Sequence, residues 1–390
     1  MNQVLQARLQ QRQDQSLYRQ RMITEGPQQP MLRSQGRDYL CFTSNDYLGL
    51  ANHPQVIAAL QAAAKTYGVG SGASHLVCGH SAVHAQLEQA LAKLTGRSRA
   101  VLFSSGYMAN VGLLGALLEA TDGVFEDRLN HASLIDGGLL SGARLQRYRH
   151  NDVADLQQRL QKSQARHKLV ATDSVFSMDG DIAPLGQLAQ VCQAEDAWLM
   201  LDDAHGLGVL GVHGGGAALQ AGLDQQQAPI YMGTLGKALG CYGAFVAGSD
   251  TLVEAMVQFA RSYIYTTAIP PAVAAASLAA VNLLHEESWR QAHLQQLIQR
   301  FRDTAQTMDL PLMDSHTAIQ PLLLGDASRA LQVSEALKNM GILVTAIRPP
   351  TVPANSARLR ITLTAAHSAS QVEQLLAALA KLQHQGLLAS

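Results

Sequence analysis

The stretch WLMLDDAHG, residues 198–206, indicates the fold class, because an apolar run of strand length is followed directly by acidic and histidine side chains. Such runs are typical of strands buried in a parallel sheet. Four further short apolar runs end in a similar way in Gly, Ser, Asp or Thr, at residues 100–103, 168–172, 230–233 and 244–247. These five runs are candidate strands of one sheet.

Longer segments with helical periodicity lie between the candidate strands. Residues 83–94, VHAQLEQALAKL, place four apolar side chains on one face of a helix, and residues 153–160 and 185–193 behave similarly. The alternation of the two kinds of segment predicts an α/β fold with a doubly wound, mostly parallel sheet. Folds of this class bind ligands beyond the carboxyl ends of their strands.

The length of 390 residues exceeds that of one typical domain, and the composition changes along the chain. Residues 1–45, which begin rich in Gln and Arg, are predicted to form an N-terminal arm, and residues 46–280 a large domain. Residues 281–390 are predicted to form a smaller C-terminal α/β domain. Its candidate strands lie near residues 318–324, 341–347 and 358–363, and its final helix covers residues 370 to about 383.

Composition excludes several functional classes. The chain has 29 basic and 30 acidic residues, and neither a basic excess nor a basic stripe points to nucleic acid. The apolar segment 268–284 contains two prolines, so a buried helix is expected there and not a membrane span. The four cysteines form no CxxC pair, so no cysteine-ligated metal site is predicted. The polar N-terminus lacks the apolar region of a secretory signal, and we expect a cytoplasmic protein.

A lysine in an apolar segment is the strongest single indication of chemistry. Between Asp224 and Asp250, Lys237 is the only formally charged residue, and it follows an apolar strand in the run GTLGKALG. A desolvated lysine lowers its pKa, which suits an amine that acts as a nucleophile or forms a Schiff base. The alternative is a solvent-facing lysine in a glycine loop.

The strand that ends in Asp202 offers a carboxylate at the mouth of the sheet, where it can hold a cationic ring nitrogen. A turn-capping aspartate is the ordinary alternative. Asp202 and His205 could also be two ligands of a metal, but no third ligand stands at a recognisable spacing. No metal is therefore predicted.

A third feature is RAVLFSSGYMAN, residues 99–110, in which a strand leads through serines and Gly106 into an apparent helix. Free N–H groups at a helix N-terminus, beside a glycine, can bind phosphate. The run GLGVLG matches a dinucleotide-binding pattern but lacks the strand and helix that should flank it. His131 follows another short apolar segment. Together, a lysine, an aspartate, two histidines and a phosphate-binding helix end are the components that a pyridoxal phosphate site requires.

The chain resembles the α-oxoamine synthases, a branch of the fold-type I pyridoxal phosphate enzymes, and the resemblance spans nearly all of it. The motifs that carry it are SNDYLGL (44–50), GSGASHLVCGH (70–80), NHASLIDG (130–137), VFSMDGD (175–181), LDDAHGLGVLG (201–211), GTLGKALG (233–240) and AIRPPTVP (346–353). Within the branch, YTTAIPPA (265–272) and LRITLTAAH (359–367) are most similar to the members that act in biotin biosynthesis.

The resemblance implies roles for individual residues around pyridoxal 5'-phosphate. Lys237 would bind the cofactor covalently and later remove the α-proton of the amino acid, and Asp202 would pair with the ring nitrogen. His205 and Ser177 would contact the phenolic oxygen, and His131 would stack on the ring. The phosphate would be held by Gly106, Tyr107 and Thr234, with Thr267 reaching it from a second subunit.

The resemblance also implies the substrates. Arg348 would bind the substrate carboxylate, while Asn45, Thr351 and an N-terminal arginine would be substrate-binding, with Arg19 favoured over Arg21 by its distance from Asn45. The implied reaction condenses L-alanine with a pimeloyl thioester of coenzyme A or acyl carrier protein and releases carbon dioxide. A homodimer is expected. The alternatives are a sister acyltransferase that uses glycine or serine, and a catalytically silent scaffold that partners an active subunit.

Overall fold

The computed structural model describes residues 1–15 and 17–388. The chain divides into a large unit, residues 46–177 with 181–292, and a smaller unit, residues 1–45 with 178–180 and 293–390.

The helices and strands are numbered here in chain order. The α-helices are α1 Asn2–Asp14, α2 Pro54–Tyr67, α3 Ala82–Thr95, α4 Gly106–Leu117, α5 Ala132–Leu140, α6 Val153–Lys162, α7 Leu185–Ala194, α8 Ala217–Gln220, α9 Asp250–Phe259, α10 Arg261–Ile264, α11 Pro271–Glu286, α12 Trp289–Thr307, α13 Ala327–Asn339 and α14 Ala369–His384. A π-helical turn covers His75–Gly79 and a 3₁₀ turn covers Val212–Gly214. The strands are β1 Met31–Ser34, β2 Arg37–Cys41, β3 Arg99–Phe103, β4 Gly123–Asp127, β5 Arg144–Tyr148, β6 Lys168–Asp173, β7 Ala197–Asp202, β8 Ile230–Thr234, β9 Ala244–Gly248, β10 Ile319–Gly325, β11 Ile342–Leu343, β12 Thr345–Ile347 and β13 Ala357–Thr362.

A seven-stranded sheet forms the centre of the large unit, in the order β3-β9-β8-β7-β6-β4-β5. The neighbours from β8 to β5 pair in parallel, whereas β9 is antiparallel to both β8 and β3. The α/β class with a mostly parallel sheet, predicted from the sequence, is confirmed. The five candidate strands correspond to β3, β6, β7, β8 and β9, while β4 and β5 were not among them.

Strand direction decides where the loops of this sheet lie. Because β9 is antiparallel to its two neighbours, β3 runs in the same direction as β8, and β4, β6 and β7 share that direction. All five strands therefore present their carboxyl ends at one edge. β8 and β9 are joined as a hairpin by residues 235–243.

Helix α4 packs on this sheet and begins at its carboxyl edge. Ser105 is the N-cap residue, and its side chain accepts a hydrogen bond from the main-chain N–H of Met108. Leu113 and Leu114 of α4 lie in the core cluster with Phe103 and Met232 of the sheet. The start of α4 is thus fixed by a cap and by packing against the strands.

The smaller unit contains two three-stranded sheets, with orders β1-β2-β11 and β10-β13-β12. β10, β12 and β13 pair antiparallel, and β2 pairs in parallel with β11. The three candidate strands and the final helix predicted in this region correspond to β10, β11 with β12, β13 and α14.

The boundaries of the units differ from the sequence expectation in two places. Residues 31–41, assigned to the arm 1–45, form β1 and β2 of the smaller unit, because Tyr39, Leu40 and Cys41 are buried there. The boundary expected between 280 and 281 lies between 292 and 293. The Ala-rich helix α11 spans the expected boundary. It packs against α2 and α3 and so belongs to the large unit.

Among the helices of the described residues, none combines the length and the apolar composition that crossing a membrane requires.

Strand β4 carries a buried carboxyl group. Glu126 is 0% exposed, and neither of its carboxylate oxygens has a hydrogen-bond partner among the described residues. Burial raises the pKa of Glu126 from 4.5 to about 7, with Arg147 opposing the shift and Asp136 adding to it. The folded chain therefore retains a proton on Glu126 at a pH where the unfolded chain has lost it.

We expect this group to make the free energy of unfolding fall as the pH rises. The contribution of Glu126 to the free energy of unfolding is fully present below pH 4.5, the pKa of this group in the unfolded chain. It is lost as the pH rises towards about 7, the pKa of the same group in the folded chain. The whole change corresponds to about 3 kcal/mol. Glu126→Gln should remove this dependence, so urea unfolding should show the variant gaining on the wild type between about pH 5 and about pH 8.

Glu286→Gln is the matched control, because Glu286 is exposed on α11. It should leave the pH dependence unchanged. Equal pH slopes for Glu126→Gln and the wild type would contradict the assignment.

Candidate active site

The functional residues predicted for the large unit follow the carboxyl ends of its strands. Gly106 and Tyr107 follow β3, His131 follows β4, Ser177 follows β6, Asp202 ends β7 with His205 just beyond, and Thr234 ends β8 with Lys237 just beyond. Five strands that share one direction thus bring these residues to a single edge of the sheet.

The side-chain amine of Lys237 lies within hydrogen-bonding distance of a histidine ring. Its Nζ lies 2.8 Å from His205 Nε2, and His205 Nδ1 lies 2.6 Å from the hydroxyl oxygen of Tyr47. An ammonium group only donates, so when Lys237 is charged Nε2 accepts and Nδ1–H donates to Tyr47. Tyr47 is fully buried. The lysine amine is therefore positioned by a histidine that is itself held by a buried tyrosine.

The loop that carries Lys237 is packed closely against the SNDYLGL segment. Gly240 has φ of 65°, and a Cβ there would collide with the main chain of Leu50 and Ala51. The main-chain N–H of Gly240 donates to the carbonyl oxygen of Lys237 at 2.9 Å. A glycine is required at this position both for its backbone conformation and for the close approach.

Asp202 is buried at the end of β7 and both of its oxygens accept hydrogen bonds. Oδ2 accepts from Asn110 Nδ2 at 2.7 Å, and Oδ1 accepts from the main-chain N–H of Ala204 at 3.0 Å. A carboxylate fixed in this way can hold a protonated ring nitrogen.

His131 caps helix α5 and is joined to Asp202 through two further side chains. Its Nδ1 lies 2.7 Å from Ser133 Oγ, and Ser133 Oγ accepts from Asn110 Nδ2 at 2.8 Å. Partial burial lowers the pKa of His131; the positive charge of Lys237 acts in the same direction, and Asp202 and Asp136 oppose it. His131, Asp202 and Lys237 are thus within electrostatic reach of one another.

Two more aspartates surround Asp202. Asp173 lies opposite Asp202 in the register of β6 and β7, and burial and that neighbouring carboxylate raise the pKa of Asp173 well above its usual range. Burial raises the pKa of Asp203 to about 6, although Ser174, Tyr231 and the main chain of Ala217 all donate to it. These hydrogen bonds to Asp203 hold the loop that follows it in place.

The beginning of α4 supplies the expected phosphate-binding groups. The main-chain N–H groups of Gly106 and Tyr107, the first two residues of α4, have no acceptor within the helix. The Tyr107 hydroxyl donates to Asp136. Thr234 Oγ1 donates to the carbonyl oxygen of Gly243 at 3.1 Å and accepts from the N–H of Gly236 at 3.3 Å.

Ser177 and Thr267 lie in loops of the large unit. Ser177 is half-buried in the loop after β6, and Thr267 is exposed between α10 and α11. Whether Thr267 serves a second subunit stays a prediction.

The remaining predicted residues belong to the smaller unit. Arg19, Arg348 and Thr351 line one cavity of about 340 Å³, whose described lining does not include Arg21. Asn45 Oδ1 accepts a hydrogen bond from Arg360 at 3.1 Å. Three of the four substrate-binding residues predicted outside the large unit therefore share one cavity.

Three side chains that form hydrogen bonds around the predicted site residues were not predicted from the sequence: Tyr47, Asn110 and Ser133. Tyr47 lies within a motif that the resemblance used, but its contact with His205 spans 158 residues of chain. Asn110 lies one helical turn beyond Gly106, and Ser133 follows His131 by two residues. No local pattern in the sequence indicates which partners these three would meet.

The family model for class I and II aminotransferases matches residues 37–379. The chain belongs to this family. A curated 8-amino-7-oxononanoate synthase from Cellvibrio japonicus is 61% identical over 98% of this chain and 96% of its own length. This relative supports the α-oxoamine synthase branch that the motifs indicated.

Two solved structures of the same branch resemble this member of the family. An 8-amino-7-oxononanoate synthase from Francisella tularensis is 33% identical, with a TM-score of 0.78 over 89% of this chain and 98% of that one. A serine palmitoyltransferase solved with pyridoxal phosphate is 30% identical, with a TM-score of 0.93 over 98% of both chains. The resemblance stated from the motifs, and the cofactor expected from it, are confirmed.

The residues of the large unit fit pyridoxal phosphate by their chemistry. An amine held by an imidazole, a buried carboxylate with both oxygens oriented, a second histidine and a helix N-terminus whose first two N–H groups have no acceptor within the helix are the groups that this cofactor needs. They lie at one edge of one sheet. No group of three or more side chains able to hold a metal is present in the described part of the chain.

Proposed function

We propose that this chain condenses L-alanine with a pimeloyl thioester, the reaction of an 8-amino-7-oxononanoate synthase in biotin biosynthesis. The observation that carries the proposal is the 61% identity to such an enzyme over nearly the full length of both chains. The hydrogen-bonded lysine and aspartate of the large unit support it, because a silent scaffold has no need of an amine held by an imidazole at the same sheet edge as a buried carboxylate.

Pyridoxal phosphate, when bound, forms an imine with an amine and withdraws electrons from the α-carbon of an amino acid. Asp202 would keep the ring nitrogen protonated, because a buried carboxylate favours a proton on a group that it contacts. Lys237 would bind the cofactor and then take the α-proton of alanine, with His205 and Tyr47 holding the amine in place. These residues supply the acid–base chemistry of the reaction.

The remaining residues of the large unit would bind and orient. His205 and Ser177 would contact the phenolic oxygen, and His131 would cover the ring and polarise the thioester carbonyl. The N–H groups of Gly106 and Tyr107, with the hydroxyl of Thr234, would bind the phosphate. Thr267 would reach the phosphate of a partner subunit.

The smaller unit would bind the substrates. Arg348 would bind a carboxylate, for which the planar guanidinium is suited. Arg19, Asn45 and Thr351 would contact the acyl substrate. In the overall reaction a bond forms between the α-carbon of alanine and the thioester carbonyl carbon. The thiol of coenzyme A or acyl carrier protein leaves, the alanine carboxyl group departs as carbon dioxide, and a proton is returned to the α-carbon. We propose the cytoplasm as its location.

The decisive experiment mixes the purified, cofactor-loaded protein with a pimeloyl thioester and either alanine, glycine or serine. We expect carbon dioxide release with alanine. Release with glycine or serine in place of alanine would identify a sister acyltransferase and overturn the proposal. Lys237→Ala should release none and should lack the visible absorption of the lysine-bound cofactor, and the same absorption in this variant would remove Lys237 from its role.

Arg19 and Arg21 form a matched pair for testing the acyl site. Since Arg19 lines the cavity with Arg348, Arg19→Ala should raise KM for the thioester by roughly 10- to 100-fold, the loss expected for one charge-assisted hydrogen bond. Arg21→Ala should change KM little. The reverse result in steady-state kinetics would transfer the role to Arg21.

We propose a homodimer, because Thr267 is exposed and because α5 presents two exposed leucines, Leu139 at 63% and Leu140 at 70%. Light scattering should give twice the 41.7 kDa mass of the chain. A mass of one chain at micromolar concentration would contradict it.

A further inference from the structure

Four buried or partly buried side chains form a directed series of hydrogen bonds from Asp202 to His131. A carboxylate only accepts, so the Asn110 atom 2.7 Å from Asp202 Oδ2 must be the amide nitrogen. The same nitrogen carries a second hydrogen, which it donates to Ser133 Oγ at 2.8 Å. The orientation of the Asn110 amide is therefore set by Asp202.

The direction continues through the serine hydroxyl. Ser133 Oγ accepts from Asn110, so its own hydrogen is available for His131 Nδ1, which lies 2.7 Å away. The main-chain N–H of Ser133 also points at Nδ1, at 3.3 Å. Two donors on one ring nitrogen require that this nitrogen presents its lone pair. In the neutral ring, the proton then belongs on Nε2.

We propose that Asn110 and Ser133 are positioning residues that keep His131 neutral with its proton on Nε2, available to donate a hydrogen bond to a substrate carbonyl oxygen. The tautomer rests only on the contacts within this chain. Its use in catalysis rests on the function proposed above. A neutral N–H donor stabilises negative charge that develops on a carbonyl oxygen and requires no proton transfer from solvent.

The surroundings of the series favour this arrangement. Asn110 is 0% exposed, Ser133 1% and Asp202 3%, so water does not compete for the hydrogen bonds among these three side chains, whereas His131 at the end of the series is exposed. The main-chain N–H of His131 donates to Asp173 Oδ2 at 2.6 Å, which holds the residue at the edge of the sheet.

The charged groups near the ring act on it in opposite directions. Lys237 disfavours a cationic imidazole, while Asp202 and Asp136 favour one, and partial burial lowers the pKa of His131 in total. Protonation of Nδ1 would also set its N–H against the main-chain N–H of Ser133, which is a second donor. A neutral ring is the form that the hydrogen-bond geometry and desolvation both favour.

A purely structural role would not explain the unsatisfied atom of Asn110. Its Oδ1 is buried and has no hydrogen-bond partner among the described residues. A buried acceptor without a partner costs about 1 to 3 kcal/mol, so an apolar side chain of similar size would serve packing better. The two N–H groups that join Asp202 to Ser133 are what this residue contributes.

The test is the nitrogen NMR spectrum of the full-length chain labelled at histidine, with pyridoxal phosphate and without it. The His131→Gln variant identifies the His131 signals by their loss. We expect Nε2 to carry the proton and Nδ1 to show the shift of an unprotonated nitrogen at neutral pH. A protonated Nδ1 in the wild-type chain would overturn the proposal without any further variant.

The second arm removes the donors. Ser133→Ala should mix the two tautomers and raise the pKa of His131, and kcat should fall by about tenfold, the rate equivalent of one hydrogen bond, with KM for alanine little changed. Asn110→Ala should do the same by releasing the serine hydroxyl. Ser133→Thr, which restores a hydroxyl, should return the wild-type tautomer.

Ser141→Ala is the matched control, because Ser141 ends the same helix and its hydroxyl donates to the carbonyl of Gly138. It should leave the His131 signals unchanged. Identical His131 spectra in Ser133→Ala and the wild type would overturn the proposal. The predicted tautomer together with no carbon dioxide release from alanine would instead reject the proposed reaction and leave the positioning role intact.

Discussion

Parallel strands end on the same side of a sheet, and the chemistry of this chain depends on that constraint. β3, β4, β6, β7 and β8 are far apart in sequence, yet each is followed by a residue of the candidate site. The segment that follows each strand carries only one or two residues of the candidate site, so no single segment has to supply all of them. The hydrogen bonds of the sheet therefore fix the spacing of the amine, the carboxylate and the helix end that we propose as the phosphate site before any ligand is bound.

Three aspartates at this edge of the sheet have the same side chain but different hydrogen-bond partners and surroundings. Asp202 has both oxygens oriented by N–H donors, and it has a neighbour, Asp173, whose raised pKa favours the neutral acid. Asp203 points away into a cluster with Ser174 and Tyr231 that ties down the next loop. Of the three, Asp202 is therefore the one that we propose as the partner of a cationic ring.

The sequence predicted the central features because they have local signals. An isolated lysine after an apolar strand and an aspartate at a strand end are visible without a structure, and so are the strands with continuous apolar runs. Strand β5, RLQRY, escaped prediction because an edge strand is exposed and polar. Residues 31–41 resembled an arm because their partner strand lies some 300 residues away, in β11. The contacts of Tyr47 with His205 and of Asn110 with Asp202 and Ser133 likewise join residues that are far apart in the sequence, and tertiary packing decides them.

The hairpin that joins β8 to β9 has a consequence for the reactive lysine. His131, Ser177 and His205 lie in connections from a strand to a helix, but Lys237 lies in a nine-residue connection whose two ends are held by paired strands. Closing so short a loop restricts its chain entropy, and most of that ordering is complete once the hairpin has formed. The backbone that carries the amine consequently has little freedom left to lose, so folding, and not ligand binding, orders it.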